Sequence, residues 1–121
     1  MRALLAIASN RARNELTQGL AARGHMVLTS TAGLLAAIEH AKPIHVVLAT
    51  QASLGREWVR VLRQLHRRAP TILVVVLLRP GAELAWRVAM LAGAFEALAA
   101  SVSGAVLLEA LGRAASITAA A

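Results

Sequence analysis

Cysteine, tyrosine and aspartate are all missing from the 121 residues. Without cysteine there are no disulfides and no thiolate metal ligands, and the absence leaves the compartment open. Without aspartate, every acid is a glutamate: Glu15, Glu39, Glu57, Glu83, Glu96 and Glu109. Long apolar runs are missing too. The longest, Ile72 to Leu78, falls far short of the ~20 residues that a membrane span needs. The first apolar stretch ends at Ser9-Asn10 after only a few residues, which is not a signal-peptide pattern. Together these absences predict a soluble cytoplasmic domain with no membrane partner.

What is present has the size of one domain, long enough to bury roughly two thirds of its unfolded surface without staples. Hydrophobic residues make up 58% of the chain, but much of that is alanine, which supplies little core volume. Thirteen basic residues, twelve of them arginine, leave a formal net charge of +7. An arginine- and alanine-rich, lysine-poor chain also follows from GC-rich coding, so the charge alone assigns no function.

Short apolar runs alternate with amphipathic ones. Ala3–Ala8 reads as a buried strand. Asn10 reads as the N-cap of a helix through Arg23, with Leu16 and Leu20 inward and Gly24 at the stop. Met26–Thr29 is a second strand, Ala32–His40 a second helix and Ile44–Ala49 a third strand. A helix over Arg56–Arg68 turns Trp58, Val61, Leu62 and Leu65 inward. Thr71–Leu78 is continuous and valine-rich, as a central strand covered on both faces should be. "RPG" is a turn, Glu83–Leu91 a helix stopped by Gly93, Phe95–Ala99 a weak strand and Val106–Ala115 a last helix. Residues 116–121, "SITAAA", read as a frayed tail or the start of a linker after a domain over residues 3–115. Five β-α units in strict alternation predict an α/β fold. Its form is a doubly wound three-layer α/β/α sandwich on a five-stranded parallel sheet.

The stretch "LTQGLAARGHMVLTSTAGLLAAIEHAKPIHVVLA" resembles what response-regulator receiver domains build from first helix to third strand. "EWVRVLRQLHRRAPTILVVV" is similar to their third helix and fourth strand, and "AMLAGAFEALAAS" to the segment leading through their fifth. The resemblance covers nearly the whole chain and implies the receiver strand order 2-1-3-4-5. It also implies five chemical positions, and each is filled by a residue that cannot do the chemistry. The acidic pair that holds Mg²⁺ corresponds to Ala8 and Ser9. The phosphoacceptor aspartate corresponds to Ala49, the Ser/Thr ending the fourth strand to Val76 or Leu77, and the lysine after the fifth strand to Ala100. Physical chemistry agrees. Mg²⁺ wants hard oxygen ligands that usually include a carboxylate, and an acyl phosphate needs a carboxylate nucleophile. The only acid near the first loop is Glu15. The chain therefore resembles a degenerate receiver, a pseudo-receiver that keeps the scaffold without the switch.

Other signals point weakly to chemistry. Arg56, Arg60, Arg63 and Arg67 recur at helical spacing and form a basic stripe. The stripe is read as a solvated face, against a patch for nucleic acid, nucleotide phosphate or an acidic partner. No aromatic residue interleaves with it to stack a base. His25, His40, His45 and His66 lie on different elements, and no pair has metal-site spacing. His45, in an apolar strand, is expected to hold a hydrogen-bond partner. "SLGREW" has one glycine, so no phosphate cradle is present. Ser9, Ser53 and Ser101 can gather at the carboxyl edge, but no histidine is placed to activate them.

The expectation is a non-enzymatic, phosphorylation-independent signalling module that acts by dimerisation or docking to protein partners, forms the N-terminal part of a larger bacterial regulator and requires no cofactor or metal. Its interaction face is expected on the fourth helix, fifth strand and fifth helix, through Trp86, Met90, Ala97, Ala99, Ala105 and Ala110, most simply as a homodimer. The alternatives are a small-molecule or nucleotide sensor using the emptied acidic pocket, and a basic nucleic-acid-binding module.

Overall fold

A computed structural model describes residues 1–7, 9–29, 43–79, 81 and 83–120. The elements in chain order are β1 (Arg2–Ala6), α1 (Asn10–Ala22), β2 (Met26–Thr29) and β3 (Val46–Thr50). They continue with α2 (Gln51–Leu54), α3 (Trp58–Arg68), β4 (Leu73–Leu78), α4 (Glu83–Leu91), β5 (Glu96–Ala99) and α5 (Gly104–Ala120). The expected helix at residues 32–40 lies outside the described residues. All strand pairs are parallel, in the order β2-β1-β3-β4-β5.

The central strands are buried on both sides, which is why they read as unbroken apolar runs. Alternate residues feed two separate cores. Leu5, Val46, Leu48, Val75 and Leu77 pack with Leu16 and Leu20 of α1 and with Leu107 and Leu111 of α5. Leu4, Val47, Ala49, Val74, Val76 and Leu78 pack with Leu62 and Leu65 of α3 and with Ala89 and Ala92, in and just after α4.

Local differences from the sequence reading have local causes. Ser9, not Asn10, caps α1: its Oγ accepts from Ala12 N at 3.4 Å, and Asn10 is already helical. Gly24 sits past the helix end at φ 80°, in the region that favours glycine. Arg56 is not on α3. It occupies the turn after Gly55, whose φ of 85° ends α2, and the helix starts only at Trp58. Residues 116–120, expected to fray, continue α5, and Thr118 Oγ1 donates to the Ala114 carbonyl at 3.0 Å.

His45 has the partner expected of it: its Nδ1 accepts from Arg2 N at 2.9 Å, tying the start of β3 to β1. At the same edge His25 lies 3.4 Å from the Met1 ammonium. Burial first, then the ammonium and Arg23, hold His25 below the usual histidine range. Its contribution to stability is therefore present above the unfolded pKa and is lost as pH falls.

Candidate functional site

In an open parallel sheet the carboxyl ends of the strands are where ligands gather. Here the ends of β1, β3 and β4 are joined by uncharged groups. Thr50 ends β3 and caps α2. Its Oγ1 accepts from Ser53 N at 3.0 Å, while Ser53 Oγ accepts from Thr50 N at 3.2 Å. The Ser53 hydroxyl also reaches the Ala6 carbonyl at the end of β1. Gln51 Oε1 accepts from Arg79 N, just past β4, at 3.0 Å. One short turn thus links three strands through hydroxyl and amide groups that are already satisfied. Ser53 is consequently a structural hydroxyl, and Ser9 is a helix cap.

Of the six residues at the positions taken from the resemblance, the five that are described do not form one pocket. Strand pleat divides them. The register pairs Ala49 with Val76 and Thr50 with Leu77. Ala49 and Val76 are both 0% exposed and belong to the core under α3 and α4. Leu77, Ser9 and Ala100 line a cavity of about 320 Å³ on the opposite face, between α1 and α5. Ala8 lies outside the described residues. Ala49 and Val76, expected to line an emptied pocket, are instead covered by aliphatic neighbours in the core under α3 and α4.

The cavity itself is mostly aliphatic, with Ile7, Leu16, Leu107 and Leu108 in its walls. Ser9, Thr50 and Glu15 are its polar groups. Glu15 Oε1 accepts from Arg11 Nε at 3.4 Å, an exposed pair one helical turn apart. Among the described residues no three potential ligating side chains cluster for a metal ion. No described helix is long and apolar enough to cross a membrane.

A second concentration of unusual residues lies on α4, β5 and α5. Trp86 is 51% exposed and Met90 36%, both on the flank of α4 that faces β5. Across β5, Val106 at 41% and Ile117 at 49% stand on the near flank of α5. Between them Arg113 bridges from α5 to Glu96 on β5 at 2.6 Å. Ala99 and Ala105 are exposed, as the sequence led us to expect. Ala97 and Ala110 are not: they are 5% and 0% exposed and face the core. Ala97 alternates inward on β5, and Ala110 shares the inward row of Leu107, Leu111 and Ala114. Sequence reasoning missed Val106, Arg113 and Ile117. The signal was available in their spacing of −4, +3 and +7 from Ala110, which puts them together on one side of the helix.

Arg60, Arg63 and Arg67 stand exposed on α3 as a basic row. Arg56 is exposed but off the helix. A row of this kind without interleaved aromatics should bind DNA only through counterion release. Affinity in binding titrations should therefore be weak and fall steeply with salt, with no sequence preference. Sub-micromolar, sequence-preferring binding at physiological salt would show a specific interface instead.

No family model and no curated protein matches the chain. Solved structures do. A response regulator receiver domain protein from Clostridium thermocellum superposes with a TM-score of 0.78 at 25% identity, covering 93% of this chain and 92% of that one. The receiver domain of the TMAO respiratory system response regulator TorR gives 0.83 at 13% identity, with 93% of each chain covered. An orphan response regulator of H. pylori gives 0.81 at 17% identity, over 94% and 95%. The chain has the receiver fold, five parallel strands in the order 2-1-3-4-5 with helices on both faces, and its structural neighbours are response-regulator receiver domains.

Proposed function

We propose that this chain is a phosphorylation-independent, non-enzymatic receiver-like module that works by binding protein, forming a homodimer through α4, β5 and α5. The observation that carries the reading is the exposed set Trp86, Met90, Val106 and Ile117 around the Glu96–Arg113 ion pair. A large aromatic left half exposed beside aliphatic side chains is the usual anchor of a protein interface. The patch has the mixed apolar and paired-charge character that can meet its own copy across a two-fold axis. The inert carboxyl edge supports the other half of the reading. It offers no aspartate to accept a phosphoryl group and no acidic pair to hold Mg²⁺, and the one carboxylate beside it, Glu15, is paired with Arg11.

Sedimentation over a concentration series tests the dimer. The wild type should associate at micromolar concentration, and Trp86→Glu should weaken association by roughly tenfold or more while leaving the fold intact. A wild type that stays monomeric at high micromolar concentration would remove the homodimer.

A second reading is supported by the cavity between α1 and α5. Its volume of about 320 Å³ and aliphatic walls suit a small, largely apolar molecule, with Ser9 and Thr50 as hydrogen-bonding groups. That sensor reading differs from the dimer in its observable: a ligand there shifts amide resonances of α1 and the start of α5, away from Trp86.

A further inference from the structure

Helix α4 leaves apolar side chains exposed on both flanks, and the dimer reading uses only one. Ala89 and Ala92 are buried and Ala85 packs against the same core, so these positions define the inner face. Trp86 and Met90 stand to one side of that face. Leu84, Val88 and Leu91 stand to the other, at i, i+4 and i+7, with exposures of 78%, 37% and 85%. Three aliphatic side chains in one row, two of them almost fully exposed, are more than scattered surface hydrophobes.

Helix α3 is the neighbour on that flank. His66 of α3 lies directly against Gly93, two residues past the end of α4. A Cβ at Gly93 would sit 2.6 Å from His66 Cγ, and the φ of 106° at Gly93 excludes one in any case. The exposed Arg63 precedes His66 by three residues on the same side of α3, with Arg60 and Arg67 on the crest beyond it. On α4 itself the exposed Arg87 lies on the outer side of the Leu84–Leu91 row. The aliphatic row is thus bordered by arginine on both sides. No acidic residue occurs within α3, and α4 has one, Glu83, at its first position; Glu57 precedes α3. The arginine row and the aliphatic row have the same length, two helical turns.

We propose that the surface formed by the aliphatic row of α4 and the arginine row of α3 docks an acidic amphipathic helix of a partner protein. Such a helix carries an apolar stripe at i, i+4 and i+7 with acidic residues on either border, the complement of what α3 and α4 present. A second copy of this chain fits poorly, because an isologous contact would bring the arginine rows together. A lipid surface fits less well than a helix. Trp86, the side chain suited to a membrane interface, is on the other flank, and the apolar row is one residue wide. The site is independent of the dimer face.

The probe is a fluorescently labelled synthetic peptide of about 16 residues, long enough for some helix, with leucines at helical spacing bordered by glutamates. Anisotropy titration should give saturable binding near ~10 μM, the range of a small transient interface. The pairs Leu84→Glu with Leu91→Glu, and Arg63→Glu with Arg67→Glu, should each weaken it by about tenfold or more. Trp86→Glu, on the opposite flank, should leave it unchanged. All these positions are exposed, and circular dichroism checks that each variant folds. The proposal is overturned if the peptide fails to bind at about 1 mM. It is equally overturned if a scrambled peptide of the same composition binds as well, since charge alone would then be responsible. Binding to phosphatidylglycerol vesicles without peptide binding would assign this surface to a membrane. Self-association lost in the leucine pair but kept in Trp86→Glu would assign it to a second copy.

Discussion

Ala49→Asp, which returns an aspartate to the end of β3, should create neither a phosphoacceptor nor a stable protein. Ala49 is 0% exposed and packed among Leu4, Val47 and Val76 under α3. Its described neighbours in that core are aliphatic and offer a carboxylate no cation in place of water. Burying an uncompensated charge costs about 3–5 kcal/mol, a large share of the roughly 5–15 kcal/mol that holds a domain of this size. Desolvation raises the folded-state pKa of such a group above its unfolded value. Stability is therefore retained at pH below the unfolded carboxyl pKa of about 3.9 and is lost as pH rises above it. Urea melts at acid and neutral pH should show the variant close to wild type in the first and far below it in the second. Intact mass after acetyl phosphate and Mg²⁺ should show no phosphoryl adduct on either protein. An adduct on the wild type, or an Ala49→Asp protein as stable as its parent at neutral pH, would contradict the inert edge.

Ala110→Glu should unfold the domain, where a glutamate at an exposed position of the same helix should not. Ala110 is 0% exposed, in the inward row of α5 with Leu107, Leu111 and Ala114. Glutamate adds three heavy atoms beyond the extra methylene to a packed layer, and a charge with no partner. Overpacking alone costs about 1–3 kcal/mol, and the charge adds a term as large as that at Ala49. The comparison is Ala105→Glu, exposed in the first turn of α5. There a negative charge meets the positive end of the helix dipole, and stability should change by no more than about 0.5 kcal/mol. Thermal unfolding of the two variants separates the cases. Equal, small effects at both positions would show that Ala110 does not face the core.

Both predictions follow from facts of different legibility. That β4 is central could be read from Ile72–Leu78, because a strand covered on both faces must be apolar at every position, and only such a run has that composition. Helix ends at Gly24 and Gly93 were equally legible, since both take a positive φ that few other residues tolerate. The chemical emptiness of the edge was legible as well: a chain without aspartate has no aspartyl phosphate wherever its strands end.

What the sequence could not show is which face each small residue takes. Alanine is tolerated in core and surface alike, so Ala97, Ala99, Ala105 and Ala110 look equivalent in a list, and two of the four are buried. Their division depends on strand pleat and helix rotation, which the surrounding leucines set through packing. The same pleat separates Ala49 and Val76 from Thr50 and Leu77, closing one side of the edge and leaving the cavity on the other. Polar linkage by Ser53 and Gln51 was also beyond the sequence, because their partners, Ala6 O and Arg79 N, are 47 and 28 residues away and are backbone groups without a side-chain signature. Composition and spacing determined the layers and excluded the phosphoryl chemistry. Only tertiary packing decided which side chains were left outside to meet a partner, because exposure depends on what covers a residue and not on what the residue is.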